Sequence, residues 1–396
     1  MFIYNQKQIA YNKFFLQNYN IKSQHNILFI HHSCHFSGAE NSLLHLTTRL
    51  DKDKFFPIFL CPKKGQFSER LLEKNIPIVH FEFGKNRELV KLLRSIRKIC
   101  QVARYLKIGL IHSNGPQTNI PAGIAGRLLN IPVVWHARNL VTDRKIDIDR
   151  FTGFLPQRIF CNSDAIRDRF KGKRLKKTTK TIMNGIDLKD FDRFYSSLKV
   201  RKEFAIPSNA KVVGMCSRLG KDKGHLTLLK AVSRLKNRYS DLWILIVGEN
   251  LFEADNDVPK YLKMKAREFG IAEKTVFTGF RKDVYRLYAG MDIFVLGTNA
   301  EPCGRVIFEA MAMAKPVLGT NNGGTPEIVI DGQTGLLFNY GDSKELSLKI
   351  DFLLSNKTIL KRMGNAGRKR VKEKFTIDEN VRKTQNEYFD LLQRMK

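Results

Sequence analysis

The chain has few cysteines and no long apolar run, and both absences narrow the class of protein. Six cysteines occur among its 396 residues, with neither a C-x-x-C pair nor a metal-ligand spacing. A disulfide framework and a zinc site are therefore not indicated. No apolar segment approaches the ~18 residues of a membrane-spanning helix, and residues 1–24 are rich in Asn, Gln and Lys instead of carrying a signal peptide's apolar core. We expect a cytoplasmic protein with reduced thiols.

Motifs that hold phosphates or metals in other proteins are also missing. No G-x-G-x-x-G run occurs, and the stretch GMCSRLGKD at residues 214–222 has neither the spacing nor the final Ser or Thr of a P-loop. The sequence contains no H-E-x-x-H run and no cluster of carboxylates. These absences disfavour a nicotinamide-dependent enzyme, a P-loop nucleotidase and a tightly held metal ion.

Acidic residues are scarce relative to basic ones. Lys and Arg number 69 against 38 Asp and Glu, which gives a formal net charge of +31. Most of the excess lies in residues 1–199, which hold 35 basic and 15 acidic residues, and it is densest in residues 85–107 and 167–180. This charge predicts attraction to a polyanion, and anionic lipid and nucleic acid are both candidates.

Short β-branched runs alternate with helical stretches, which is typical of parallel sheets with crossover helices. The runs form two series, separated by a polar segment at residues 187–207. Strands are predicted at residues 27–31, 56–60, 78–81, 110–112, 133–135 and 158–161, and then at residues 212–216, 243–247, 276–278, 293–296, 316–318 and 335–338. We predict an α/β fold of two facing Rossmann-like domains with parallel sheets and a ligand cleft between them.

The domain boundaries are predicted from the same two series. Residues 1–24 form an N-terminal extension, residues 25–195 the first Rossmann-like domain and residues 196–375 the second. Residues 376–396 have apolar side chains along one side of a helix, and we expect this helix to pack back on the first domain.

Polar residues follow the predicted strands at the positions where doubly wound sheets bind ligands. That crevice lies beyond the carboxyl ends of the strands. Gly38, His112 and His136 stand there in the first series, and Arg218 and Lys223 in the second. Four of them have a structural alternative when taken alone: a tight turn for Gly38, a satisfied buried histidine for His136, and solvated surface charges for Arg218 and Lys223.

Two glutamates in the second half are harder to explain by packing. Glu309 stands inside an otherwise apolar helix, next to Phe308 and Ala310, and Glu301 precedes it in a loop. A carboxylate in apolar surroundings loses hydration worth several kcal/mol unless a partner replaces the water. A polar ligand would be such a partner, and the free amides at the start of the helix would face the same space.

Several short motifs together carry a family resemblance. In the second half they are C-S-R-L at residues 216–219 with Lys223-Gly224, the spacing from Glu301 to Glu309, G-G-T-P-E at residues 323–327 and D-G-Q-T-G at residues 331–335. In the first half they are Gly38-Ala39-Glu40, His112, His136 and N-G-I-D at residues 184–187. In this combination residues 26–375 resemble the retaining family-4 glycosyltransferases of the two-Rossmann (GT-B) fold. The resemblance implies metal-independent transfer of a hexose from a UDP- or GDP-sugar, with no further cofactor.

The resemblance implies roles for residues of the second domain. Arg218 and Lys223 would hold the donor diphosphate, where fixed cations stabilise the negative charge that develops on the leaving group. Glu309 would accept hydrogen bonds from the ribose, and Glu301 would lie beside the donor sugar. Backbone amides of Gly304, Arg305 and Val306 would contact sugar and phosphate, and the base would lie against Gly279, Phe280 and Arg281.

The resemblance also implies roles for the first domain. The Gly38 turn would approach the phosphate, where a side chain would block it. His136 would lie beside the donor sugar and the acceptor, so the predicted catalytic residues are His136, Arg218, Lys223 and Glu301. The chain departs from the family pattern at Cys303, where a bulky residue is common.

The basic first half suits an anionic, membrane-bound acceptor. Residues 87–107 place apolar side chains near one helical face with Lys and Arg around it, although an ordinary crossover helix has the same pattern. Each basic residue near an anionic surface contributes about 1 kcal/mol of attraction. We therefore expect a peripheral enzyme at the inner face of the membrane, acting in polysaccharide, lipopolysaccharide or glycolipid synthesis on a lipid-linked or glycan acceptor.

Two other classes of protein stay open at this point. A nucleotide-sugar epimerase would act on the donor without an acceptor. A non-catalytic polyanion-binding protein would account for the charge, but the basic tracts lack interleaved aromatic residues and known reader motifs, so no specific nucleic acid is expected.

Overall fold

The computed structural model describes residues 25–84, 86–141, 146–191, 194–250 and 255–394. The extension expected at residues 1–24 lies outside them. The chain divides into two compact units: unit 1 holds the described residues up to Met183 and those from Ile377 onward, and unit 2 holds Asn184–Thr376. The chain passes from unit 1 to unit 2 after Met183, which is earlier than the boundary predicted between residues 195 and 196. The reason is that Ile186 already contacts the end of unit 2, where its N donates to Phe375 O at 3.0 Å.

Unit 1 is built on a parallel sheet. Among the described residues its seven strands are in the order β3-β2-β1-β4-β5-β6-β7. The strands are β1 (His25–Ile30), β2 (Phe55–Cys61), β3 (Ile78–His80), β4 (Ile108–Ser113), β5 (Val133–Ala137), β6 (Arg158–Cys161) and β7 (Thr179–Thr181). The six predicted strands are confirmed, whereas β7 was missed because its three residues, TKT, lie in a basic tract and contain no apolar run.

Helices cover both faces of this sheet. They are α1 (Gly38–Thr48), α2 (Gln66–Glu73), α3 (Leu89–Tyr105), α4 (Pro116–Leu129), α5 (Ile148–Thr152), α6 (Asp164–Arg167) and α7 (Lys173–Thr178). Helices α1 and α2 share one apolar core with the sheet, and α3 and α4 share the other. Because both faces are buried, the strands are apolar along their length and the polar groups collect at their ends.

Unit 2 repeats this architecture with a six-stranded parallel sheet among the described residues, in the order β10-β9-β8-β11-β12-β13. The strands are β8 (Lys211–Cys216), β9 (Leu242–Val247), β10 (Thr275–Phe277), β11 (Ile293–Leu296), β12 (Val317–Thr320) and β13 (Gly335–Phe338). The helices are α8 (Ser197–Glu203), α9 (His225–Ser233), α10 (Val258–Glu268), α11 (Val284–Leu287), α12 (Arg305–Ala312), α13 (Thr325–Ile328), α14 (Ser343–Ser355) and α15 (Lys357–Lys374). All six strands of the second predicted series are present.

The last helix, α16 (Ile377–Gln393), returns to unit 1. Val381, Tyr388 and Leu391 enter the core that α1 and α2 share with the sheet. Tyr388 is fully buried, with its ring stacked on Phe160. No helix among the described residues is long and apolar enough to span a membrane.

A charged anchor holds α16 to the sheet. Arg158, at the start of β6 and only 9% exposed, donates from Nε to Glu387 at 2.8 Å and from Nη2 to Asp390 at 2.6 Å. Both carboxylates lie on α16. A buried guanidinium is stable only while its partners remain, so this contact fixes where the helix lies along the sheet.

We expect Arg158→Met to lower the free energy of unfolding by about 2 kcal/mol, because Glu387 and Asp390 lose their buried partner and keep only the more exposed cations Lys180 and Arg394. Arg382→Met is the matched control, since Arg382 lies on the same helix but pairs with Glu379 at the surface, where such pairs contribute under ~1 kcal/mol. Urea unfolding of both variants measures the difference. Equal losses would contradict the anchoring role.

Candidate functional site

Strands β4 and β5 bring two histidines together in unit 1. His112 Nε2 lies 3.2 Å from His136 Nδ1. Arg138 donates from Nη2 to the same His136 Nδ1 at 3.2 Å and from Nε to Asn114 Oδ1 at 2.6 Å. On its other side, His112 Nδ1 is hydrogen-bonded to the Tyr388 hydroxyl of α16. The histidines predicted from the strand ends therefore belong to one buried polar cluster.

Burial keeps the histidines of this cluster uncharged. Desolvation, with a smaller contribution from the Arg138 charge, lowers the pKa of His112 to about 3. The pKa of His136 is held well below its usual value by desolvation, by Arg138 and by His112. Outside this cluster, desolvation together with His31 lowers the pKa of His32 to about 4. We infer that the cluster acts through neutral imidazoles at neutral pH.

The Gly38 turn is fixed by a capping box at the start of α1. Ser37 N donates to Glu40 Oε2 at 2.9 Å, and Glu40 Oε1 lies 2.7 Å from His31 Nε2. Burial alone would raise the pKa of Glu40, but hydrogen bonds from His31 and Ser37 bring it down to about 2. Gly38 itself is exposed, so its backbone lies at the surface.

Unit 2 gathers Arg218, Lys223 and Glu301. Arg218 donates from Nη1 to Asp255 at 2.6 Å and from Nη2 to Asp222 at 2.5 Å. Lys223 Nζ lies 3.1 Å from Glu301 Oε2 and 3.8 Å from Asp222 Oδ2. These cations are therefore not solvated surface charges: they converge on one carboxylate-lined region just beyond β8.

Close backbone approaches explain the glycines next to Lys223 and Glu301. Gly224 has a φ of +83°, and a Cβ there would lie 2.2 Å from Gly297 O. Gly323 has a φ of +57°, and a Cβ there would lie 2.5 Å from Glu301 O. Only glycine fits such positions, so the motifs at residues 223–224 and 323–327 hold Lys223 and the Glu301 loop in place.

The half-buried carboxylate of Glu309 has protein partners of its own. The Tyr288 hydroxyl donates to Glu309 Oε2 at 2.8 Å, and Arg305 Nη2 lies 3.8 Å from Oε1. Tyr288 is fully buried, and burial raises its pKa well above the usual value, so it stays a donor. Part of the lost hydration of Glu309 is thus replaced by the protein, which the sequence argument attributed to a ligand.

Gly304, Arg305 and Val306 lie at the beginning of α12. Gly304 is the N-cap residue, and Arg305 and Val306 are the first two helical residues. Amides in the first turn of a helix have no acceptor within that helix, so their acceptors come from side chains, water or a ligand. The three residues thus lie at a helix N-terminus, and their contact with sugar and phosphate stays a prediction.

The loop predicted to hold the base follows β10. Gly279 O accepts from Gly248 N at 3.0 Å, and Phe280 is exposed. The Arg281 guanidinium is engaged by Asp283 at 2.8 Å and by Glu203 at 2.7 Å. Phe280 is thus the side chain of this loop with an open surface for stacking.

Four partners were not anticipated from the sequence: Asp222, Asp255, Tyr288 and Tyr388. Asp222 stands within a quoted motif, and only its side-chain direction was missing. The other three reach the site from distant segments, so no local spacing indicated them. Among the described residues, no group of three or more His, Cys, Asp and Glu side chains is placed to hold a metal ion.

Comparison with known families covers most of the chain in two parts. Residues 36–190 match the model described as "Glycosyltransferase Family 4". Residues 196–370 match the model described as "Glycosyl transferases group 1". The two matches correspond to unit 1 and unit 2, apart from α16.

Individual proteins similar to this chain are also glycosyltransferases. The chain is 27% identical over 299 residues to the capsular polysaccharide biosynthesis glycosyltransferase CapM of Staphylococcus aureus, covering 72% of this chain and 77% of CapM. It is 30% identical over 213 residues to the lipopolysaccharide core biosynthesis glycosyltransferase LpsE of Rhizobium meliloti, covering 53% of this chain and 57% of LpsE. The crystal structure of Anabaena HepE in complex with UDP and glucose is 25% identical, with a TM-score of 0.80, and covers 91% of this chain and 98% of HepE.

We expect the free energy of unfolding to fall as the pH is lowered from about 6.5 to about 4. His32, His112, His136 and His225 have lowered pKa values in the fold, so in this range the unfolded chain binds protons that the folded chain does not. Each such group contributes up to about 1.4 kcal/mol per pH unit.

Urea unfolding at several pH values measures this slope. His225→Gln removes one of the four groups and should reduce the slope, while unfolding that is independent of pH in this range would contradict the buried neutral histidines.

Proposed function

Since the chain belongs to the family-4 glycosyltransferases of the GT-B fold, we propose that it moves a hexose from a nucleoside-diphosphate sugar to a lipid-linked or glycan acceptor. In this proposal the transfer retains the anomeric configuration, needs no metal ion and serves the synthesis of a surface polysaccharide or lipopolysaccharide. The observation that carries it is the convergence of Arg218 and Lys223 beyond β8.

Two fixed cations suit the chemistry of this reaction. When the bond between the anomeric carbon and the diphosphate breaks, negative charge accumulates on the leaving group. Arg218 and Lys223 supply two positive charges that are already oriented by Asp222, Asp255 and Glu301. In unit 2, an arriving diphosphate would share or replace these carboxylates as the partner of both cations.

Glu309 suits recognition of the ribose. Its Oε2 is held by the Tyr288 hydroxyl, which fixes the orientation of the carboxylate. Its Oε1 is then directed to accept from hydroxyl groups, with Arg305 at 3.8 Å as a nearby cation. A carboxylate held on one side by a buried donor is a rigid acceptor, so little conformational entropy is lost on binding.

We propose that the base of the donor nucleotide is uracil. HepE, which is similar over nearly its whole length, has been solved with UDP and glucose. Phe280 would offer the base an exposed aromatic face. A GDP-sugar stays the alternative, because no contact of this loop distinguishes uridine from guanosine.

The first turns of α3 suit a membrane-bound acceptor. Leu89, Val90 and Leu93 are 65%, 80% and 56% exposed, and Lys91 and Arg94 lie beside them. Apolar side chains that protrude among basic ones insert into the interface of an anionic membrane. On this proposal the enzyme is peripheral at the inner face of the membrane.

We expect Arg218→Ala and Lys223→Ala each to weaken binding of the nucleoside diphosphate by roughly 10- to 100-fold, because each removes a charge-assisted contact worth about 1.5–3 kcal/mol. Lys221→Ala is the matched control, since Lys221 is an exposed cation between the two whose charge faces Asp257. Thermal shifts of the four proteins with UDP, GDP and ADP, with and without magnesium, measure the affinity.

A shift with one nucleotide that does not need magnesium, and that is lost in both variants and kept in Lys221→Ala, is the expected pattern. Full affinity in both variants would overturn the diphosphate assignment. Product analysis with the preferred UDP- or GDP-sugar then separates transfer from epimerisation, because an epimerase converts the donor without an acceptor.

We expect the double variant Leu89→Gln/Leu93→Gln to bind vesicles containing phosphatidylglycerol several-fold more weakly than the wild type, because it removes the apolar side chains that insert among the headgroups. Leu348→Gln is the control, since Leu348 is as exposed but lies on α14 of unit 2. Co-sedimentation at two salt concentrations measures binding. Equal binding by all three proteins would exclude this surface.

A further inference from the structure

His136 carries a polar atom that the fold leaves without a partner. The residue is only 3% exposed, and none of the described residues offers a hydrogen-bond partner to its Nε2. An unpaired buried polar group is costly, so such an atom marks a position for a water molecule or a ligand atom. The protonation of Nε2 therefore decides what His136 can do to a substrate.

Arg138 settles that protonation. A guanidinium only donates hydrogen bonds, and Arg138 Nη2 lies 3.2 Å from His136 Nδ1. Nδ1 must then be the bare, accepting nitrogen, and the proton of the neutral ring must be on Nε2. Asn114 holds the guanidinium in this position by accepting from Arg138 Nε at 2.6 Å.

A second chain of contacts requires the same tautomer. Because His136 Nδ1 accepts, His112 Nε2 at 3.2 Å must donate to it. The neutral His112 ring then has a bare Nδ1, which accepts from the Tyr388 hydroxyl. Tyr388 is fully buried, and burial raises its pKa well above the usual value, so it keeps its proton. Each hydrogen bond from Tyr388 through His112 to His136 therefore has one defined donor and one defined acceptor.

We propose that Arg138, His112 and Tyr388 lock His136 as the Nε2–H tautomer, so that His136 donates a hydrogen bond to a substrate oxygen and does not act as the general base. This inference rests on the proposed transferase function. Tyr388, from the terminal helix α16, and Arg138 are positioning residues that act through His136.

The lock has a consequence for the proton released in the reaction. A bond forms between the acceptor oxygen and the anomeric carbon, and the bond from that carbon to the diphosphate breaks. With its proton on Nε2, His136 cannot take the acceptor's proton at that atom. In the proposed reaction the departing diphosphate, which gains a negative charge, takes that proton. The hydrogen bond from His136 Nε2 stabilises an oxygen of the substrate during this exchange.

The tautomer can be read directly, without an activity assay. Nitrogen-15 NMR of protein labelled at histidine should show the proton of His136 on Nε2 and of His112 on Nε2, with assignment by the His136→Gln and His112→Gln variants. A proton on His136 Nδ1, or a charged ring, at neutral pH would overturn the proposal. This readout stands even if no nucleotide sugar binds, so its failure is distinct from failure of the proposed function.

A pair of substitutions tests the donor role in turnover. The amide of His136→Gln can place an N–H near the position of Nε2 and cannot act as a base, whereas His136→Asn reaches only as far as Nδ1. We expect Gln to keep kcat within about fivefold of wild type and Asn to lose roughly 10- to 100-fold, which corresponds to one hydrogen bond made in the transition state. Equal losses of kcat in both variants, with nucleotide-sugar binding intact, would overturn the role of His136 as a hydrogen-bond donor.

Tyr388→Phe tests the contribution of the terminal helix. Loss of the hydroxyl frees His112 to adopt the opposite tautomer, so we expect a second His136 species in the spectrum and a several-fold fall in kcat with little change in donor KM. Tyr239→Phe is the matched control, because it removes a hydroxyl bonded to Asp351 in unit 2. If Tyr388→Phe matched the control in both spectrum and kcat, Tyr388 would be a packing residue only.

Discussion

Both faces of each parallel sheet are covered by helices, so a charged side chain along a strand would lose its hydration with nothing to replace it. Polar groups are stable only where a strand ends and its backbone turns toward a helix. In unit 1 that edge gathers His31, His112 and His136, and in unit 2 it gathers Arg218 and Glu301. In each unit the candidate residues thus lie at the edge of the sheet where the fold permits charged and hydrogen-bonding groups.

Each group at these edges is held by a partner before any ligand binds. Arg218 is paired with Asp222 and Asp255, and Lys223 with Glu301. Such pairs keep the cations oriented, so in the proposed transfer little reorganisation would be needed as charge develops on the leaving diphosphate. His136 Nε2 is one of the buried polar atoms that have no hydrogen-bond partner among the described residues, and our proposal gives it a substrate oxygen as its partner.

The sequence predicted the two sheets well, because continuous apolar runs are the direct requirement of strands buried on both faces. It missed β7, whose Thr-Lys-Thr stretch is buried at only one residue and pairs only at the edge of the sheet. The sequence argument also expected Glu309 to lack a protein partner. Tyr288 is 21 residues away along the chain, and only the fold brings its hydroxyl to the Glu309 carboxylate. Tyr388 was missed as a polar partner for the same reason: its apolar surroundings identified a core position, and its hydroxyl contact depends on where α16 returns to unit 1.

What the sequence by itself determined was the number of sheets, the order of strands along the chain and the residue types at the strand ends, because these follow from local apolar patterning and backbone limits on glycine. What only the tertiary structure decided was the direction of the hydrogen bonds and the pairing of the charges. A tautomer such as that of His136 depends on an arginine, a second histidine and a tyrosine from three separate segments, all held within hydrogen-bond distance. No local pattern encodes that geometry, since it exists only after the strands and the terminal helix have packed together.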